Sequence, residues 1–157
     1  MSPKRHLVTG ANGFIGAALC QLRCSLGCQV RGLVLKGTDP GILPGLGVQV
    51  CVADIRDAGS LAEPLRGVQT VFHLAALAKD WGRRADFLAA NTEGTRNVLT
   101  AAAQAGARRL VHMSTLAVHR FRGYVAADES IPADSMTFGY GASKVLAEGL
   151  VRQAHRA

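Results

Sequence analysis

The stretch Leu7–Gly16 reads Leu-Val-Thr-Gly-Ala-Asn-Gly-Phe-Ile-Gly, and its glycines at positions 10, 13 and 16 restrict the fold more than anything else in the chain. Gly10 permits a tight turn, Gly13 removes the Cβ that would hold the backbone away from a pyrophosphate, and Gly16 lets the following helix sit close on the strand. Amides at such a helix start face outward, and the helix dipole favours an anion there. Glycine triplets occur in many loops, so the flanks decide. His6–Thr9 is apolar enough for a strand, while Phe14–Leu26 carries Ile15, Ala18, Leu19, Leu22 and Leu26 at helical spacing. The glycines therefore fall between a strand and a helix, as a phosphate-binding turn requires.

The rest of the chain repeats that alternation. Gly27 stops the first helix, and Gln29–Leu35 reads as a second strand. Lys36–Gly47, rich in Gly and Pro, reads as a crossover loop with at most a short helical turn. Val48–Ala53 is a third strand ending at Asp54-Ile55-Arg56-Asp57, after which Ser60 is expected to cap or begin a short helix to about Arg66. Thr70–Ala75 is a fourth strand; His73, which this reading does not place at a strand end, is expected to be a satisfied core histidine. Arg84–Ala105 predicts one long helix with Phe87, Asn91, Gly94, Val98 and Ala101 recurring on one side, closed by Gly106. Arg109–Met113 is a fifth strand, and a last helix begins at about Tyr140.

Strands alternating with helices predict an α/β fold, a doubly wound parallel sheet. Ligands of such sheets bind outside the carboxyl ends of the strands, near the switch point. The Gly10 turn, Leu35-Lys36, Asp54-Ile55, Leu74–Ala76 and Ser114-Thr115 are therefore expected to converge.

At 157 residues with 48% hydrophobic content, the chain has room for one globular domain with a real core. The net charge of +7 does not indicate nucleic acid, because the basic residues fall in scattered pairs without interleaved aromatics. Cys20, Cys24 and Cys28 fall four apart, but the first two lie within the predicted helix, Cys28 follows the stop at Gly27, and Cys51 lies in a distant strand. Reduced thiols acting as small apolar residues are expected, and no metal. The opening Met1–His6 runs into the first strand without a secretory apolar segment, and no run reaches membrane-spanning length. The expected address is the cytoplasm, with no membrane partner.

Tyr140-Gly-Ala-Ser-Lys144 sets a phenol and an ammonium on one face of a helix. A cation beside a phenol favours the phenolate, which suits a proton-transferring tyrosine, although a surface Tyr–Lys pair would show the same spacing. Ser114-Thr115 follows the fifth strand, where a hydroxyl could bond a substrate oxygen that gains charge; ordinary turn chemistry is the alternative. Asn91 lies on the apolar stripe of its helix, so its amide seeks a partner inside, either backbone or cofactor.

Taken together, Thr9-Gly-Ala-Asn-Gly-Phe-Ile-Gly16, Asp54, His73-Leu-Ala-Ala76, Asn91-Thr-Glu-Gly-Thr-Arg-Asn97, Ser114-Thr115 and Tyr140-Gly-Ala-Ser-Lys144 resemble the extended short-chain dehydrogenase/reductase family, also called NAD-dependent epimerase/dehydratases. The motifs run in the family's order across nearly the whole chain. The resemblance implies a Rossmann-like NAD(P)-binding domain over residues 1–157. It implies Tyr140 as general acid/base, Lys144 holding the ribose and favouring the Tyr140 phenolate, and Thr115 orienting the substrate with Ser114 beside it. Gly10, Asn12, Gly13, Phe14, Ile15 and Gly16 would cradle the dinucleotide, Asp54 and Ile55 would meet the adenine, Leu74, Ala75 and Ala76 would line the cofactor, and Asn91 would support the site.

Several positions depart from the family pattern. NAD sites usually offer an acid at the end of the second strand. No Asp or Glu occurs between Val30 and Thr38; Val34 takes the likely acid position and Lys36 follows it, which favours NADP over NAD. After Thr115 come Leu-Ala-Val-His-Arg in place of the Asp-Glu pair of family dehydratases, which disfavours dehydration. Epimerisation and oxidation or reduction of a secondary alcohol or ketone remain, on a nucleotide-sugar or 3β-hydroxysteroid-like substrate; Leu77–Phe87 with Trp81-Gly82 is similar to members of the latter kind. The chain stops at Ala157, where extended members continue, so a truncated domain lacking the last strands and the substrate-binding region is expected. Its fifth strand would then present an apolar edge open to homodimerisation or aggregation. The alternative is a non-catalytic dinucleotide-binding module or an inactive fragment.

Overall fold

The computed structural model describes residues 4–136 and 139–156. Met1–Pro3, where the sequence reading expects no secretory segment, and Ala157, where it expects a truncated domain, lie outside the described residues, as do Thr137 and Phe138. Arg5–Thr9 forms β1, Phe14–Ser25 α1, Gln29–Val34 β2 and Gln49–Val52 β3. A 3₁₀ turn, Ala58–Leu61, leads into the short α2, Ala62–Leu65, and Thr70–His73 forms β4. Arg84–Phe87 (α3) and Gly94–Gln104 (α4) flank a π turn at Leu88–Glu93, and β5 (Arg109–His112) precedes the last helix, α5, Gly139–Arg156.

The strands pair in the order β3-β2-β1-β4-β5, all parallel. The direction of winding reverses beside β1, so the glycine turn leaves its central strand at the switch point. β1 is covered on both faces. Leu7 packs with Leu33, Val71, Leu61, Leu65 and Val98 in one apolar cluster, and Val8 packs with Val30, Val34, Cys20, Leu43 and Val48 in the other. Each fully buried aliphatic side chain stabilises the sheet by about 1.5–3 kcal/mol. Cys20 is part of that packing, and burial pushes its thiol up to about 11. Among the described residues no three His, Cys, Asp or Glu are placed to hold a metal, and no helix is long and apolar enough to cross a membrane.

Three expectations about elements need correction. The long helix is not uninterrupted: a π turn holds Asn91, whose side chain bonds the Leu77 backbone and Ser143 outside the helix while its carbonyl accepts from Thr95 Oγ1 four residues on in α4. His73 does end a strand; it is the last residue of β4, paired in register with Thr9 and with His112. The turn after β3 is capped by Asp57, whose carboxylate accepts from the Gly59 amide, while Ser60 bonds back to the Asp54 and Asp57 carbonyls.

Candidate active site

Gly10 adopts φ +65°, and a Cβ there would lie 3.0 Å from the Ala75 backbone, so the turn brings β1 and the end of β4 into direct contact. A Cβ on Gly16 would overlap the Gly10 carbonyl oxygen, which is how closely α1 sits on the turn. Gly13, in an extended conformation, begins α1 without any side-chain cap. The first-turn amides of a helix have no internal acceptor, so those of Phe14, Ile15 and Gly16 are offered outward. Phe14 itself is 95% exposed over this helix start.

A cleft of about 400 Å³ opens at the carboxyl ends of the strands, lined by the glycine turn, Leu33–Leu35, Ala53–Arg56 and Leu74–Leu77. Four of the five expected strand ends thus converge. Gly10, Asn12, Gly13, Asp54, Ile55, Leu74, Ala75 and Ala76 all line it. Phe14, Ile15, Gly16, Lys36, Asn91, Ser114, Thr115, Tyr140 and Lys144 do not.

Asn12 reaches across the mouth, its amide donating to Thr38 Oγ1 at 3.1 Å and the Asp39 carbonyl at 3.0 Å, and so ties the glycine turn to the loop after β2. Val34 is buried and presents no acceptor to the cleft, and Lys36 stands exposed two residues beyond it. Asp54 is clasped by Arg56, whose Nη2 donates to Oδ2 at 2.6 Å and Nε to both oxygens at 3.0 Å. Those bonds hold the Asp54 carboxyl below the usual range.

The sequence reading missed Thr38, Arg56, Asp86 and Ala90 as cleft residues. Arg56 could have been found from its place two after Asp54, and Asp86 with Ala90 from helical spacing on the face that also carries Asn91's turn.

Behind the cleft a chain of bonds fixes the site. Thr9 Oγ1 accepts from the Leu74 and Ala75 amides, so its proton goes to His73 Nδ1 at 2.8 Å. His73 Nε2 then donates to Thr95 Oγ1 at 3.0 Å, which donates to the Asn91 carbonyl at 2.6 Å. Burial, with the nearby Lys144 ammonium adding to it, lowers His73 to about 3 and keeps it neutral. Asn91 Oδ1 accepts from the Leu77 amide at 2.7 Å, and its Nδ2 donates to the Leu77 carbonyl and to Ser143 Oγ. Asn91 therefore bonds backbone and α5, not the cleft. Ser143 in turn donates to the Tyr140 carbonyl at 2.7 Å, and Thr92 Oγ1 donates to the Ser143 carbonyl at 3.0 Å.

These bonds seat the start of α5. Tyr140 is half-buried with its ring 6.4 Å from that of Phe87. Lys144 is 3% exposed, donating to the Met113 carbonyl at 2.6 Å and contacting His112 Nε2 at 3.1 Å. Burial lowers it to about 8, with Glu148 opposing that shift. Thr115 Oγ1 accepts from the Ala117 amide at 3.3 Å, capping a 3₁₀ turn over Leu116–Val118, and Ser114 Oγ is buried without a partner among the described residues. A cradle with outward amides, an apolar cleft and a buried ammonium on α5 fits a dinucleotide.

The chain is 37% identical over 153 residues to a 4-hydroxy-2-methyl-3-oxo-4-farnesyl-3,4-dihydroquinoline-1-oxide ketoreductase of Stigmatella aurantiaca, covering 96% of this chain and 46% of that one. It is 35% identical to a 3β-hydroxysteroid dehydrogenase/Δ5→4-isomerase of Mycobacterium tuberculosis, covering 94% and 42%. A short-chain dehydrogenase/reductase superfamily protein from Agrobacterium tumefaciens, solved with bound NAD, superposes with a TM-score of 0.84 at 33% identity, covering 98% of this chain and 45% of that one. The chain thus spans less than half the length of these relatives. The model of the NAD dependent epimerase/dehydratase family matches residues 6–157, and the chain belongs to that family.

Proposed function

We propose that residues 1–157 form the dinucleotide-binding domain of an NAD(P)-dependent oxidoreductase or epimerase that acts at a secondary alcohol or ketone carbon. The observation that carries this reading is the joining of the switch-point cleft to the Tyr140–Lys144 helix through Asn91 and Ser143. One network positions both the cradle and the proton-transfer pair. The dinucleotide, when bound, supplies the hydride acceptor or donor. The chain's own residues do the rest. The α1 start and the glycine turn bind the pyrophosphate, Asp54 with Ile55 meets the adenine, Leu74–Ala76 lines the path inward, and Lys144 offers a donor to the ribose.

Tyr140 takes the proton from the substrate hydroxyl during oxidation and returns it during reduction, and its single hydroxyl suffices for both directions. Thr115, with Ser114 beside it, orients the substrate oxygen as charge develops there. The absence of an Asp-Glu pair after Thr115 favours hydride and proton transfer over elimination of water. Val34 and Lys36 favour NADP, since the cleft offers no carboxylate for the ribose diol at the end of β2 and an ammonium follows it. A ketone or secondary alcohol on an apolar skeleton is the substrate class that the ketoreductase and hydroxysteroid relatives support. A cytoplasmic setting, with the four free cysteines reduced, belongs to the same reading.

The test is titration of the protein with NADPH and, separately, NADH, followed by energy transfer from Trp81, which is 85% exposed. Saturable binding with NADPH tighter supports the reading. No binding by folded protein overturns it. Turnover unchanged by Tyr140→Phe in a version carrying a substrate region would overturn Tyr140 as the proton-transferring group, and saturable dinucleotide binding with no turnover in that version would leave the non-catalytic dinucleotide-binding module as the better account.

A further inference from the structure

His112 ends β5, opposite His73 in the parallel register, with the two rings 5.3 Å apart. Its Nε2 lies 3.1 Å from the Lys144 ammonium, while the Met113 carbonyl accepts from the same nitrogen at 2.6 Å. An ammonium has three N–H donors and no acceptor, so His112 must receive at Nε2 and carry its proton on Nδ1. That Nδ1 is buried and has no partner among the described residues. A histidine kept only for packing would gain by satisfying its N–H, because a buried donor left unpaired is a penalty. Here the ring is committed through its other nitrogen.

We propose that His112 is a positioning residue for Lys144: with the Met113 carbonyl it holds two of the three ammonium N–H groups and so fixes where the third is offered. The inference rests on the reading of Lys144 as the group that meets the ribose. Every charged or titratable neighbour enters the balance. Glu148, one turn further along α5, favours the ammonium, Tyr140 lies one turn before it, and His112 and His73 face it from β5 and β4. Burial and the Lys144 charge lower His112 to about 4, so the histidine is neutral when the lysine is charged. Removing the Nε2 acceptor from a desolvated ammonium weakens the charged form. The same removal frees the side chain to turn.

The experiment is NMR on the whole protein labelled with ¹³C,¹⁵N histidine and lysine. Long-range ¹⁵N–¹H correlation at about pH 7 reads the His112 tautomer, and the Lys144 Cε shift reads its ionisation. The Nδ1–H tautomer is expected, with a Lys144 midpoint near 8. In His112→Phe the midpoint should fall by about one unit, a tenfold fall in the ratio of ammonium to free amine at fixed pH. In His112→Gln, whose amide oxygen can accept, it should return to within about 0.3 unit of the wild type. The pH above which NADPH affinity declines should move in step, lower in His112→Phe and restored in His112→Gln. An Nε2–H tautomer, or a Lys144 midpoint unmoved by His112→Phe, overturns the proposal. The tautomer is read in the unaltered protein, so a variant that fails to fold does not spare the idea. If the folded protein binds no dinucleotide, the functional reading fails while the tautomer and midpoint still decide the role of His112.

Discussion

Asn91 Nδ2 and Ser143 Oγ meet at 2.9 Å, and both residues are at most 1% exposed. Through this bond the π turn, the Leu77 backbone after β4 and the helix of Tyr140 and Lys144 become one unit. Asn91→Ala would leave the Leu77 amide and carbonyl and the Ser143 hydroxyl without that partner. With an unsatisfied buried donor costing about 1–3 kcal/mol, the substitution should lower unfolding free energy in urea by about 2–4 kcal/mol. A loss under about 0.5 kcal/mol would show that water replaces the amide freely.

Gly16→Ala should act on the cradle directly. The added Cβ would overlap the Gly10 carbonyl oxygen and crowd the Ala11 backbone, so α1 must back away from the turn. Overpacking of this kind costs about 1–3 kcal/mol of stability. Dinucleotide affinity, measured by Trp81 energy transfer, should fall by about tenfold or more, which is about 1.4 kcal/mol.

Cofactor choice should follow the end of β2. Val34→Asp places a carboxylate in the cleft where ribose hydroxyls can donate and a 2′-phosphate is repelled. The ratio of NADH to NADPH affinity should rise by about tenfold. Lys36→Ala should weaken NADPH by a smaller factor and leave NADH unchanged, and equal effects on both would detach Lys36 from the phosphate.

Acid should unfold the protein along a slope that the buried histidines set. His73 is lowered from 6.5 to about 3 and His112 from 6.5 to about 4. Between those folded values and 6.5 the unfolded chain binds protons that the native state does not, so stability rises with pH in that window and is level for these groups above it. Each histidine adds up to about 1.4 kcal/mol per pH unit. His73→Gln should flatten the slope in urea titrations across that window, whatever it does to stability at neutral pH. An unchanged slope would mean that the imidazole takes up its proton without unfolding.

What could be read from the sequence was what lies in short stretches. The glycine turn, the alternation of strands and helices and four of the five converging strand ends depend on periodicity and on residues that alone tolerate a given backbone. The π turn escaped because Phe87, Asn91, Gly94, Val98 and Ala101 fit an α-helical stripe, and only the bonds of Asn91 to Leu77 and Ser143 show why a residue is added there. Asp57 and Ser60 are equally good caps by residue type, and the chain's path selects Asp57. Lys144 is legible as a motif residue, but its contacts with Met113 and His112 come from a strand thirty-odd residues earlier and appear only when β5 is in place. Arg56 carries no motif signal, since an arginine near an aspartate in sequence is usually a solvated pair, and here that pair borders the cleft.

The strand order has a consequence for how the chain reaches its native state. β1, β2 and β3 all lie within the first third of the sequence and can pair in succession, whereas β1 must wait for β4 on its other side, Thr9 meeting His73 across 64 residues. Closing that long interval is slow relative to local pairing. During synthesis the three-stranded piece would therefore emerge first and expose one open edge of β1 until the crossover to β4 is complete. The period of greatest vulnerability to aggregation is set by the time needed to translate the interval between Val52 and Thr70, so slow codons placed there would lengthen it and fast ones shorten it.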